Sequence, residues 1–284
     1  MPTVFKQIFT AIILELFYPD WSWLNELTSL DHMVSNNIIN LSEAGAEPDI
    51  VENNNVWPLT PAQRTDAGIQ IPLATFDTKP THVTNVEELE TAYDKCKSVA
   101  TQHVNVLRKK VSVSAAYNIA PASDTLTTPV LKTTGADRGD GTKALTYRDI
   151  TELSVKFNEG DLPQDGRILL LSPKHQADLK NENMKLYKIM MTDRSIDGFK
   201  IYMWTGNPKN NVATGQKMPY GSATGNDCSI AFVNSEVMRC MGTVEGEPEK
   251  RWADYRGWLL GFQLRFVAMP FRQFGTAAIY SDNI

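Results

Sequence analysis

The stretch GRILLLSPKHQADLK, residues 166–180, constrains this chain more than any other. Ile168, Leu169, Leu170 and Leu171 form a continuous apolar run, the pattern of a strand buried on both faces of a sheet. Ser172 can cap a helix with its hydroxyl, and Pro173 suits the first helical position, where its missing N–H costs nothing. A buried strand therefore feeds directly into a helix. Such junctions often hold ligands in α/β enzymes. Here no glycine-rich loop brings backbone amides towards a phosphate, so the reading is a structural corner.

The next constraint is a long helix. Val86, Leu89, Tyr93, Cys96, Val99, His103 and Val106 recur at spacings of three and four. Thr84 or Asn85 serves as cap, Glu87 and Glu88 fall in the first turn, and Arg108, Lys109 and Lys110 come late. Read over residues 84 to 117, the helix would exceed about 25 residues and span about 40 Å, a spine for a flat, extended domain. His103 lies on its apolar face with no His or acid four residues on, and reads as packed core rather than ligand.

Residues 1–48 read as an arm. Ile8, Ile12 and Leu16, with Phe5, Phe9 and Ile13, give a broad apolar helical face. Glu15 interrupts the run, so neither a membrane span nor a signal peptide fits. A second, shorter helix is expected through WLNELTSLDHMV, and turns through NNIINLSEAGAEPD. In residues 49–83, prolines 58, 61, 72 and 80 exclude a helix and any long central strand. IQIPLATF still alternates, which fits a two-stranded flap. Such a hairpin is marginal in water and needs something to lie against. Trp57, Ile69, Ile71 and Phe76 of the flap, with Ile8, Ile12, Leu16 and Trp21 of the arm, are the candidate intersubunit contacts.

Further along, TPVLKTT reads as a strand, and Thr146 opens a helix with Ile150, Leu153 and Phe157 inward. A strand over 197–204 and a Gly/Asn-rich loop over 205–227 follow. CSIAFVN is a buried strand, Ser235 caps a short helix to Met241, and two terminal strands close the chain. The first of them alternates Leu260, Phe262, Leu264 and Phe266.

The chemistry sought is missing. GADRGDGTK fails the spacing of a phosphate loop and of a calcium loop, and reads as a solvated turn. His32, His82, His103 and His175 form no metal pair, and there is no nucleophile elbow. Cys96, Cys228 and Cys240 lie far apart without ligand spacing, so reduced thiols are expected. Trp252, Tyr255, Trp258 and Phe262 near Arg251 and Arg256 could stack on single strands, but core contacts are the plainer reading. A net charge of −5 argues against a free-standing nucleic-acid module. Neither an enzyme nor a cofactor or metal site is expected.

The order of the parts carries a resemblance. THVTNVEELETAYDKCKSVATQHVNVL looks like a hairpin running into a spine helix. GRILLLSPKHQADL with SIDGFKIYMWTGNP looks like a central strand, helix and strand, and LRFVAMPFRQFGTAAIYS like closing strands. Together they resemble the major capsid proteins of tailed bacteriophages, the Hong Kong 97-type fold. The resemblance implies an α+β chain with an N-terminal arm (1–48), an extended E-loop hairpin (49–83) and a P-domain spine helix with its connection (84–145). A central α/β A-domain (146–250) and terminal strands (251–284) would complete it. It implies hexamers and pentamers forming an icosahedral shell around packaged double-stranded DNA, touched only weakly and non-specifically. A portal, a separate scaffolding protein and decoration proteins are the implied partners, with the virion as location and the host cytoplasm as place of synthesis. Lys79 lies at the flap's end rather than its tip and no catalytic acid matches, so no covalent crosslinking is expected. The rival readings are an encapsulin-type compartment of the same fold and a soluble α/β enzyme with a scattered site.

Overall fold

RILLL sits at the middle of a seven-stranded mixed sheet, and every one of its five residues is buried. The structure, a computed structural model, describes residues 23–35, 37–43, 67–84, 95–246, 249–251 and 256–284. In chain order its elements are β1 (Thr28–Ser29), β2 (Val34–Ser35), β3 (Ile38–Glu43), β4 (Ala67–Pro72), β5 (Ala74–Asp77), β6 (Thr81–Thr84), α1 (Lys95–Ile119), β7 (Val130–Lys132), α2 (Tyr147–Glu159), β8 (Arg167–Leu171), α3 (Pro173–Glu182), α4 (Met184–Asp193), β9 (Ser195–Ile196), β10 (Phe199–Met203), β11 (Lys209–Asn210), β12 (Asn226–Val233), β13 (Val237–Gly246), β14 (Glu249–Arg251), β15 (Gly257–Leu260), β16 (Phe262–Pro270) and β17 (Thr276–Tyr280).

The central sheet runs β7-β17-β12-β8-β10-β9, with β11 added to β12. β8 pairs in parallel with β10 and antiparallel with β12. Period-two alternation sends Leu169, Leu171, Phe199, Ile201 and Val233 to one face, under α2, α3 and α4. Ile168, Leu170, Ile230 and Phe232 go to the other, where Val111, Ala115 and Ile119 of α1 meet Trp23 and Leu24. A four-stranded sheet, β1-β13-β16-β5, lies under the same helix further towards its N-terminus, where Val99, Val104 and Leu107 pack on Leu260 and Phe262. The 25-residue α1, roughly 37 Å long, thus ties the two sheets together as a spine. His103 on this helix is buried, takes its Nε2 to Thr81 Oγ1 at 2.9 Å and lies edge-on to Phe262, the packed histidine expected.

α2 begins as read. Thr146 and Asp149 form a reciprocal capping box, with Ile150, Leu153 and Phe157 inward. Gly166 before β8 has φ +77°, and a Cβ there would meet Asn234 Oδ1 at 2.2 Å. Arg167 was not singled out by sequence, yet it is one of the most buried side chains. It donates to the carbonyls of Pro163 and Leu162 at 2.8 Å each and to Asn158 Oδ1, and its guanidinium lies over Phe157. Burial lowers its pKa, and carbonyl oxygens rather than a carboxylate meet its charge.

Several expectations are corrected. WLNE is a single 3-10 turn, not a helix, because Thr28 and Ser29 leave it to pair with β13. Ile38–Glu43, read as turn, is a strand paired in register with Ala67–Pro72. The hairpin thus takes its first strand from the segment assigned to the arm. Thr84 ends β6 opposite Gly257, so it is not the cap of the spine helix; residues 85–94 lie outside the described residues. Ser235 caps no helix but sits inside the 3-10 turn Asn234–Glu236, and Val237–Gly246 is the longest strand of the second sheet. There Val237, Met238 and Cys240 are buried against β16, and long-range pairing overrides a local cap signal. The chain closes in three strands rather than two. Thr78 Oγ1 accepts from Phe262 N at 2.9 Å where β15 gives way to β16, and the two strands join different sheets.

Candidate functional site

At the junction, Ser172 Oγ accepts from His175 N at 3.4 Å, and Pro173 takes the first helical position. This places His175 on the inner side of α3, fully buried between two serines. Its Nδ1 lies 2.7 Å from Ser229 Oγ on β12, and its Nε2 2.9 Å from Ser281 Oγ just after β17. Ser229 Oγ also accepts from Ser172 N and Ser281 Oγ from Arg138, so the ring and both serines form one connected hydrogen-bonded group. Burial pushes the His175 pKa down to about 4, so the ring is neutral at pH 7. A serine beside a neutral histidine is the grammar of a nucleophile and its base. Here both serines and the ring are sealed, with at most 1% of each exposed. The group holds β12, α3 and the chain end together, as a structural corner does.

One turn further, Asp178 is buried and accepts from Leu145 N at 3.0 Å. Arg138 grips it with both arms of its guanidinium, Nε reaching Oδ1 at 2.8 Å and a second nitrogen reaching Oδ2. The solvated-turn reading of GADRGDGTK therefore holds for Gly139–Gly141 but not for Arg138. A chain of charge continues outward, with Lys174 Nζ 3.3 Å from Asp140 and 2.9 Å from Asp227. Hydrogen bonding from Thr142 holds Asp140 down to about 2. The 205–227 loop is also anchored. Lys217 donates to the carbonyls of Tyr117 and Ala120 at 2.8 and 2.7 Å, a cation on the C-terminal end of α1, and burial lowers its pKa.

Of the candidate contact residues, Ile8, Ile12, Leu16, Trp21 and Trp57 lie outside the described residues, as does the side chain of Ile69. Ile71 is half-buried against the small cluster of Ile39, Leu73, Met238, Cys240 and Val267. Phe76 is also half-buried, packed between the second sheet and α1, and it lines a groove of about 720 Å3 between the β5–β6 corner and the spine helix. Val106, read on the apolar stripe of the spine helix, is exposed instead, and sequence reasoning missed the exposed apolar residues Leu126, Leu186 and Ile189. Only their placement on outward faces distinguishes them from core.

Among the described residues no group of three or more His, Cys, Asp or Glu is placed to hold a metal ion, and no helix is long and apolar enough to cross a membrane. Cys228 and Cys240 are free thiols, pushed by burial up to about 12 and about 11. Phe262 is core and Trp258 packs beside it, while Trp252 and Tyr255 lie outside the described residues.

No protein-family profile matches the chain, and no curated protein sequence does. Solved structures do. The capsid of cyanophage P-SCSP1u superposes with a TM-score of 0.66 at 18% identity, covering 91% of this chain and 87% of that one. The capsid of Ralstonia phage GP4 gives 0.64 at 7% identity, over 91% and 87%. A virus-like particle from Pyrococcus furiosus gives 0.59 at 12% identity, over 97% and 99%. The fold of this chain is therefore that of phage capsid proteins, an α+β arrangement.

Proposed function

We propose that this chain is the major capsid protein of a tailed bacteriophage, assembling with itself into the hexamers and pentamers of an icosahedral shell around packaged double-stranded DNA. The observation that carries the reading is the fold, shared over 91% of this chain and 87% of a phage capsid chain of nearly equal length. Its parts suit the task. The A-domain is the central sheet with α2, α3 and α4, the P-domain is α1 on the β1-β13-β16-β5 sheet, and the E-loop is the β3–β4 hairpin. The hairpin, with Ile69 and Ile71, the β5 residue Phe76 beyond it, and the arm, with Ile8, Ile12, Leu16 and Trp21, reach neighbouring subunits. Trp57 belongs to the same contact. A portal, a separate scaffolding protein and decoration proteins complete the head. DNA is touched only weakly, which suits a net charge of −5. The protein works as architecture rather than catalyst, in the virion, after synthesis in the host cytoplasm.

Negative-stain electron microscopy of the purified chain, beside size-exclusion chromatography, tests this. Closed shells, sheets or rings of five and six are expected. A monomer or dimer that never assembles, even with scaffold candidates added, overturns it. A second reading is a genome-free compartment shell of the encapsulin type. The match over nearly the full length of the Pyrococcus furiosus particle favours it. Nucleic acid inside particles from infected cells would decide for the phage head, and co-purifying cargo protein for the compartment.

A further inference from the structure

Two exposed features lie at opposite edges of the central sheet. At the β9 edge, α4 stands proud of the body. Only Met190 of its ten residues is buried, and Leu186 and Ile189 are open, Ile189 at 57% exposure. Lys185 and Lys188 beside them have no ion-pair partner among the described residues. At the β7 edge, Leu131, Phe157, Leu162 and Phe274 line a cavity of about 660 Å3, and Leu126, fully exposed, stands on its rim. Asp124 and Glu159 sit on the same rim. Lys156 is tied to Glu159 at 2.7 Å, which leaves the carboxylates in excess, and Asp161 lies exposed between two lining positions.

A basic apolar ridge and an acidic apolar hollow on one body are complementary in shape, in chemistry and in charge. Their placement at opposite ends of the strand order forbids them from meeting within one chain. A contact between different patches of identical subunits is head-to-tail, and such contacts close into rings when the rotation allows. We propose that α4 of one copy seats in the Leu126-rimmed cavity of the next, so that Ile189 and Leu186 fill it and Lys185 and Lys188 face Asp124 and Glu159. The contact runs in one direction around a capsomer. It rests on the shell reading, since it needs a second copy of this chain.

The test is directional. Leu126→Cys chains and Ile189→Cys chains, each exposed and so tolerant of change, are purified separately, mixed before assembly, co-assembled and then oxidised. A covalent dimer is expected only from the mixture, and not from either variant alone. Separately, K185E/K188E is expected to raise the concentration needed for half-assembly by more than about tenfold, since like charges then face each other. Adding E159K to that chain should recover part of the loss. Wild-type chains that assemble while K185E/K188E assembles equally well, with no dimer in the mixture, overturn this contact and leave the shell reading standing. Wild-type chains that never assemble overturn both.

Discussion

The central sheet and the β3–β4 hairpin differ in what they bury. β8 and β17 are buried at every residue, and the helix layers on both faces complete their packing within one chain. In the hairpin, Ile39 is anchored against Met238, Cys240 and Val267, with Leu73 just past β4 beside it, but Gln70 and Pro72 are exposed. The sheet is specified by its own chain, and the hairpin only at its root. The difference teaches where to look for assembly, because an edge that a monomer leaves open is an edge a neighbour can cover.

The largest effect should come from the sheet. Phe232 is fully buried beside Trp23, ring centres 6.2 Å apart, on the face that meets the spine. Phe232→Ala is expected to lower unfolding free energy by about 3–5 kcal/mol, read by denaturant titration of the chain before assembly. A loss comparable to that of a hairpin substitution would break the contrast.

Next comes the polar corner of the same domain. Arg138→Ala would leave the Asp178 carboxylate buried with Leu145 N as its remaining donor. A buried charge stripped of its partner costs about 3 kcal/mol, so a loss of that order is expected in denaturant. Asp178→Asn together with Arg138→Ala should recover part of it, because the orphaned charge is gone. If the double variant is no better than the single, the pair is not the source.

Acid probes the corner through His175. Its folded pKa is about 4 against an ordinary 6.5, so at pH 7 both folded and unfolded chains hold it neutral. Below about 6.5 the unfolded chain takes a proton that the folded chain refuses. Stability is therefore full above that pH and falls as pH drops towards 4, by up to about 3 kcal/mol. Asp178 and Asp227 near the ring oppose the shift and Arg138 adds to it, but burial dominates. The slope of stability against pH between 6.5 and 4 should flatten in His175→Gln. An unchanged slope would rule His175 out as its source, because the depressed carboxylates Asp140, Asp227 and Asp282 lose their contribution only below about 4.

What could be read from the sequence follows the same division. RILLL, Ser172, Pro173 and the Thr146–Asp149 box declare themselves within a few residues, because caps and continuous apolar runs are local signals. β13 does not. Its start at Val237 is fixed by β16 more than twenty residues on, and Ser235 gives a helix signal that tertiary pairing overrides. The second strand of the hairpin was visible in IQIP, whereas its first, IINLSE, is polar enough to pass for turn. The clasp of His175 by Ser229 and Ser281, and of Asp178 by Arg138, joins residues 40 to 106 positions apart. No spacing rule reaches across such gaps. The α4 ridge was invisible for the opposite reason, since an exposed Ile189 and a buried Met190 look alike in sequence.

The smallest expected effect on the isolated chain is the one that sharpens the contrast most. Ile71 faces Ile39 across the hairpin and is only partly buried. Truncating it to alanine removes little area from water in the monomer, and the unfolding free energy should fall by no more than about 1 kcal/mol. Assembly should suffer more than that, because the rest of the side chain's surface is covered only when a neighbour lies against the flap. Light scattering across a concentration series, beside denaturant unfolding of the same preparation, separates the two quantities. A large loss of monomer stability with assembly unchanged would make the hairpin part of the core, and the division between a self-sufficient sheet and a partner-dependent flap would fall.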